Sequence, residues 1–127
     1  MPTAFHILST TDELDRALAR SSQRPVVLFK HSPTCGISAQ AFESITEWLN
    51  GEVPNADFYV VPVQASRAVS TQLAQKFGIR HESPQALVVD DGQVVWHGSH
   101  YRATATSIAA ALDTLATATS ARESASR

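Results

Sequence analysis

One cysteine in 127 residues, Cys35, is the scarcest feature of this chain and the one that excludes most. No disulfide can form within the chain, so any disulfide Cys35 makes is to another molecule. Charge of either sign is also scarce in excess: 10 Lys and Arg stand against 12 Asp and Glu, for a net charge of -2. With no basic surplus to neutralise phosphates, nucleic acid is not expected as a partner. No apolar stretch approaches the ~20 residues that cross a bilayer, so no membrane partner is expected. The N-terminus, Met1-Pro2-Thr3-Ala4-Phe5-His6, lacks a basic patch followed by an apolar segment, and no secretory signal is expected. One unpaired thiol without an export signal fits a reducing compartment, and cytoplasm is the expectation. The chain carries no internal repeat, phosphate loop, dinucleotide fingerprint or Ser-His-Asp arrangement.

What is present is an ordinary globular mixture, 43% hydrophobic and 17% charged. It is enough for one domain with a proper core, expected over residues 1–118, with the small polar residues 119–127 as a flexible tail. Phe5 to Leu8 reads as a short strand. Ser9, Thr10 and Thr11 are candidate N-caps for a helix carrying Leu14, Ala17 and Leu18. Val26-Val27-Leu28-Phe29 is a continuous apolar run of the kind found in a strand covered on both faces. After Cys35, the residues Ile37, Ala41, Phe42, Ile45, Trp48 and Leu49 recur at helical spacing up to Gly51. Phe58 to Val63 is the next strand, and Pro62 within it requires a strand end or an edge. A helix from Ala65 to Phe77 closes at Gly78. Gln85–Val89 and Gln93–His97 flank Asp91-Gly92, a two-residue hairpin signal. A last helix is expected from Thr104 to Ala116.

The order β-α-β-α-β-α-β-β-α predicts parallel pairing among the early strands, through right-handed crossovers, and an antiparallel closing hairpin. The expected fold class is α/β: a thioredoxin-like fold, a mixed β-sheet with helices on both faces. Cys35 then stands at the first turn of a helix, where unpaired N–H groups and the helix dipole stabilise a thiolate. Ser38 occupies the position of the second sulfur of a Cys-x-x-Cys pair.

Three separated segments carry a resemblance: Thr34-Cys35-Gly36-Ile37-Ser38, Glu82-Ser83-Pro84-Gln85-Ala86-Leu87 and Val95-Trp96-His97-Gly98-Ser99-His100. In order and spacing they resemble the monothiol bacilliredoxins, thioredoxin-fold proteins linked to the low-molecular-weight thiol bacillithiol. The similarity covers about Phe5 to Leu115. It implies a thiol–disulfide oxidoreductase whose Cys35 removes bacillithiol from protein mixed disulfides, with S-thiolated client proteins and a low-molecular-weight thiol as partners. Bacillithiol is then a co-substrate and no metal is expected. Better-known members carry proline directly after the active cysteine, where this chain has Gly36. The resulting Cys-Gly-Ile-Ser is close to the Cys-Gly-Phe-Ser of monothiol glutaredoxins. That supports an alternative, a [2Fe–2S] carrier that ligates the cluster with Cys35 and an exogenous thiol.

The residues around Cys35 take their expected roles from this frame, each beside a plainer one. Cys35 is either the nucleophile or a buried structural cysteine; its place at a helix start, off the apolar stripe, favours the first. The Ser38 hydroxyl, one turn on, is in reach of the sulfur, or else it bonds its own backbone. Thr34 reads as the N-cap. Lys30 and His31 either favour the thiolate by their charge or are strand-end surface residues. Ser83-Pro84 is expected to be cis, turning the Ser83 backbone toward Cys35. Gln85 contacts substrate or simply begins a strand. Gly98, Ser99 and His100 are expected to form a turn whose N–H groups meet the carboxylates of a small acidic thiol, or a plain connecting loop. Both bacillithiol, which carries a malate group, and glutathione suit such a turn. His97 and His100 share a loop without a second ligand pair, which is too few for a zinc site.

Overall fold

The computed structural model of the chain describes residues 5–32, 34–52 and 54–125. Along the chain run β1 (His6–Ile7), α1 (Thr11–Ala19), β2 (Val26–His31), α2 (Gly36–Gly51) and β3 (Asp57–Pro62), then α3 (Arg67–Phe77), β4 (Gln85–Asp90), β5 (Gln93–Ser99) and α4 (Ala105–Ala125). One-turn 3₁₀ helices follow α1, at Arg20–Ser22, and β5, at His100–Arg102. The five strands lie in the order β1-β3-β2-β4-β5. β1 and β2 both pair with β3 in parallel, and β4 pairs antiparallel with β2 and β5. This is the thioredoxin-like α/β sheet that the element order predicts.

β2 is apolar throughout its first four residues because it is the central strand. Val27 and Phe29 join Ala41, Ile45 and Leu49 of α2 and Ile108 of α4 in one core. Val26 and Leu28 join Leu14 and Leu18 of α1 and Val69 and Leu73 of α3 in the other. Alternate side chains of one strand thus feed two layers, and burial on both faces removes the polar half of the pattern. The ends of the helices follow their sequence. Thr10 and Glu13 form a reciprocal capping box on α1, and Gly78 closes α3 at φ 64°. Asp91 and Gly92 both take positive φ, 49° and 78°, as the tight hairpin turn requires. Pro62 is the last residue of β3, beyond Tyr59 and Val60, the residues that β1 pairs.

Two expectations are corrected. α4 does not stop at Ala116 but continues to Ala125, through most of the stretch read as a tail. No Pro or Gly interrupts its alanine-rich sequence, so nothing in it ends a helix. Residues 126 and 127 lie outside the described residues. Lys30, read as a strand-end surface residue or a charge beside the sulfur, is buried at 1% exposure. Its alternation with Leu28 points it to the α3 face. There Nζ donates to the Ser70 carbonyl (3.2 Å) and meets His81 Nδ1 at 3.3 Å. Burial pushes its pKa down to about 8, from 10.5. Between those values the unfolded chain holds a proton that the folded chain has released, so Lys30 makes stability rise with pH through that window. Urea unfolding from pH 7 to 10.5 will show that contribution as a wild-type rise missing from Lys30→Met; parallel curves for the two proteins would contradict it.

Candidate active site

β2 ends at His31, and its antiparallel pairing sets Lys30 opposite Gln85 of β4. β4 in turn sets Gln85 and Ala86 opposite Ser99 and Gly98 of β5. The Cys35 loop, the Ser83-Pro84 pair and the end of β5 therefore emerge at one end of the sheet. The three segments that the sequence singled out are brought together by register.

Cys35 itself is the N-cap of α2, with extended backbone (φ -102°, ψ 122°) and no side-chain capping bond. This corrects the assignment of the cap to Thr34. Cys35 N–H closes a turn onto the Ser32 carbonyl (3.1 Å), and the Cys35 carbonyl takes the first helical bond, from Ala39 N–H (3.0 Å). The N–H groups of Gly36, Ile37 and Ser38 precede that first bond, so the positive end of the helix converges where the thiol stands. The thiol is free and half-buried. Thr34 is exposed, and its Oγ1 accepts from Gln64 Nε2 at 3.2 Å, a tether from the β3–α3 connection. Nothing in the sequence signals that contact across thirty positions. A Cβ built on Gly36 meets nothing within 4 Å. Packing therefore does not require glycine there, and what Gly36 adds over proline is an N–H group.

Ser38 is fully buried. Its Oγ accepts from Ser32 N–H (2.9 Å) and lies 2.8 Å from His31 Nδ1. Among the described residues Nδ1 is the acceptor left for the buried hydroxyl proton, which sets His31 as the Nε2–H tautomer. The expected bond from Ser38 to the sulfur is absent from this arrangement; Ser38 instead pins the loop between β2 and α2 from beneath. His31 is corrected in the same way. Its ring packs on Phe42 at 4.6 Å and stacks over Phe29, and burial lowers its pKa below the ordinary 6.5. At pH 7 it is neutral and acts on the loop through Ser38, not on the thiol through charge.

The Ser83–Pro84 bond is cis, as expected. The Pro84 carbonyl accepts from His100 N–H at 2.8 Å, joining this segment to the end of β5. Glu82 and His100 reinforce that junction with an Oε2–Nε2 contact of 2.7 Å, another contact that sequence spacing does not reveal. Gly98 and Ser99 are not a turn. They are the last two residues of β5, and only His100 begins the 3₁₀ turn. Because His100 N–H is bonded to Pro84, antiparallel alternation commits Gly98 N–H to β4 and turns that of Ser99 outward. The expected cradle of several free N–H groups thus shrinks to one. Gly98 is glycine for space: a Cβ there would sit 2.8 Å from the Trp96 ring and 3.2 Å from Arg102 Cβ. Gly98→Ala is expected to cost about 1–3 kcal/mol in chemical denaturation, since the crowded ring must shift; an unchanged midpoint would contradict this packing. Among the described residues, no three His, Cys, Asp or Glu side chains gather as metal ligands.

A thioredoxin fold that presents one free thiol at the head of α2 defines a class, the thiol oxidoreductases. Comparison with known proteins agrees. A solved structure described as a putative oxidoreductase with a thioredoxin fold shares 33% identity, over 83% of this chain and 90% of its own, with a TM-score of 0.74. Thioredoxin from Fasciola hepatica (21% identity, 87% of this chain and 98% of its own, TM-score 0.70) shares the fold. So does that from Malassezia sympodialis (20%, 90% and 93%, TM-score 0.69). The family model of the monothiol bacilliredoxin BrxC matches residues 6–108. This chain belongs to the monothiol bacilliredoxin family, and membership implies bacillithiol-linked thiol chemistry.

Proposed function

We propose that this protein removes bacillithiol from S-bacillithiolated proteins by thiol–disulfide exchange at Cys35. The observation that carries this reading is the pairing of a free, half-buried thiol with a fully buried serine one turn on. The thiol is accessible to an incoming disulfide, and no sulfur stands where an intramolecular resolving thiol would. A mixed disulfide on Cys35 therefore ends only by attack from outside.

The Cys35 thiolate attacks the bacillithiol sulfur of the client mixed disulfide. That S–S bond breaks, the client leaves as a thiolate and takes a proton from solvent, and a Cys35–bacillithiol disulfide remains. No net oxidation occurs in this step, because one disulfide replaces another. A second low-molecular-weight thiolate then attacks the bacillithiol sulfur on Cys35, releasing the small-thiol disulfide and restoring the Cys35 thiolate. The Gly36, Ile37 and Ser38 N–H groups face the negative charge that Cys35 carries when it attacks and when it is expelled. Ser38 and His31 hold the loop, Thr34 precedes the sulfur, the Ser83-Pro84 segment lies at the same end of the sheet, and the outward N–H of Ser99, beside Gly98, is offered to a carboxylate of the small thiol. Such a cycle belongs in a reducing compartment, the cytoplasm.

Mixing the reduced protein with an S-bacillithiolated client tests this directly. Stoichiometric release of client thiol is expected, with matching appearance of the adduct on Cys35. Release without that adduct, or no release, would contradict it.

A further inference from the structure

The two edges of the sheet are built differently. β1, at one edge, pairs only two residues with β3. β5, at the other, runs through Gln93-Val94-Val95-Trp96-His97-Gly98-Ser99 without a Lys, Arg, Asp, Glu or Pro. Shortness, charge and proline are among the devices that keep an open strand edge from pairing with another chain, and β5 has none of the three. A bulge between Val88 and Val89 leaves Val95 without a partner on β4. The inserted residue is a valine, 47% exposed, where a charge would guard the edge.

Val95 and Trp96 line a groove whose facing wall is α4, through Ala110, Ala111 and Thr114. It is apolar in the middle and oppositely charged at its ends. Asp90 and Asp91 stand at the hairpin end, and Arg102 stands beyond Ser99 at the end nearer the Cys35 loop. The strand holds these ends roughly 20 Å apart, too far to pair within one chain. Among the described residues no ion pair engages any of the three. Arg24, which lines the neighbouring groove with Asp90 and Asp91, is taken by Asp57 at 3.4 Å and by the Ala56 carbonyl at 3.0 Å.

A surface with an apolar centre and opposite charges at its ends is complementary to itself turned end for end, as a two-fold dimer requires. We infer that β5 is the pairing edge of a homodimer, in which the β5 strands of two copies lie antiparallel about an axis near Val95. Each acidic hairpin end then meets the Arg102 end of the other copy. α4 packs over β4, so the joined sheet sets the two α4 helices three strand spacings apart, roughly 14 Å. Val95 and Trp96 of both copies fill the strip between them, and the small side chains of α4 leave room for that. Ser99 stands opposite the partner's hairpin turn, and its N–H stays outside the new ladder. The two Cys35 thiols come to opposite ends of the joined sheet, so each reacts alone.

Sedimentation equilibrium of the full-length protein tests this, in excess reductant so that no disulfide between two Cys35 residues contributes. A monomer–dimer equilibrium is expected. One strand pair with a narrow apolar strip belongs to the weak class of interfaces, so loadings up to about 1 mM bring it out. Val95→Lys charges a position that is already exposed in the monomer; the fold should survive and the dimer weaken at least about tenfold, because the ammonium group is buried on pairing. Arg102→Glu and Asp90→Lys should each weaken the dimer several-fold. The chain carrying both should recover most of that loss, since each copy supplies both ends of the pair; a partner of any other kind would not be restored in this way. The His97 N–H, which alternates outward with that of Ser99, should exchange with solvent more slowly as the dimer fills. Monomer throughout the range, a dimer indifferent to Val95→Lys, no recovery in the double variant, or an unprotected His97 amide in the dimer would each overturn the assignment. None of these readings involves sulfur chemistry, so their failure leaves disulfide exchange at Cys35 standing.

Discussion

Cys35→Ser is expected to give a protein as stable as the parent, or slightly more so, that exchanges no disulfides. The activity half follows from the composition, since no other sulfur nucleophile of this type exists in the chain. The stability half follows from the cap. Cys35 is the N-cap of α2 and its side chain makes no capping bond, whereas serine is among the best N-cap residues because its oxygen accepts from a first-turn N–H. The substitution should therefore shift stability by between zero and about 1 kcal/mol in the favourable direction. Urea unfolding and an exchange assay on the same sample separate the two effects. Residual exchange above the uncatalysed rate would remove Cys35 from the mechanism, and a large loss of stability would mean that the thiol is a core residue after all.

Ser38→Cys should convert the chemistry from intermolecular to intramolecular. Residues three apart at the start of a helix are neighbours on one face, within the Cα separation of roughly 4.4–6.8 Å that a disulfide spans. A sulfur at position 38 then attacks the mixed disulfide on Cys35 from within, expels the small thiol and closes a ring. Intact mass after treatment with a small-thiol disulfide should show wild type carrying the adduct and Ser38→Cys without adduct, lighter by two hydrogens. The reduced variant should also be less stable by about 1–3 kcal/mol, because Ser32 N–H loses a buried oxygen acceptor. An adduct that persists on the variant as long as on wild type would show that the two positions do not meet.

The fold was legible because its signals are local. The apolar run Val26–Phe29, the Thr10–Glu13 capping box, Asp91-Gly92 and Gly78 each act within a few residues, and each sits where its chemistry demands. The central thiol was legible for the same reason, as a cysteine between a strand and a helix. What escaped depends on distant partners. Lys30 looks like the polar end of a strand until Ser70 and His81, forty and fifty-one positions away, enclose its ammonium group. Spacing alone points both Ser38 and His31 at the sulfur, but they bind one another, and Ser32 N–H takes the Ser38 oxygen beneath the turn that Cys35 closes. The Gly98-Ser99 end of β5 needs register to be seen: the strand runs three residues past Trp96, its last apolar side chain, because β4 still pairs with it. Cys35 displaced Thr34 as the cap for a related reason. Gln64 draws the Thr34 hydroxyl outward, and no pattern in the sequence marks that pull.

The central claim is that one thiol, Cys35, accepts a low-molecular-weight thiol and returns it to another. Intact-mass spectrometry of the wild-type protein exposed to oxidised bacillithiol, with glutathione disulfide in parallel, tests it most directly. The account predicts a single bacillithiol adduct that maps to Cys35, forms faster than the glutathione adduct and disappears on addition of fresh bacillithiol. A protein that takes up neither thiol, or that carries the adduct with Cys35 replaced by serine, would contradict it.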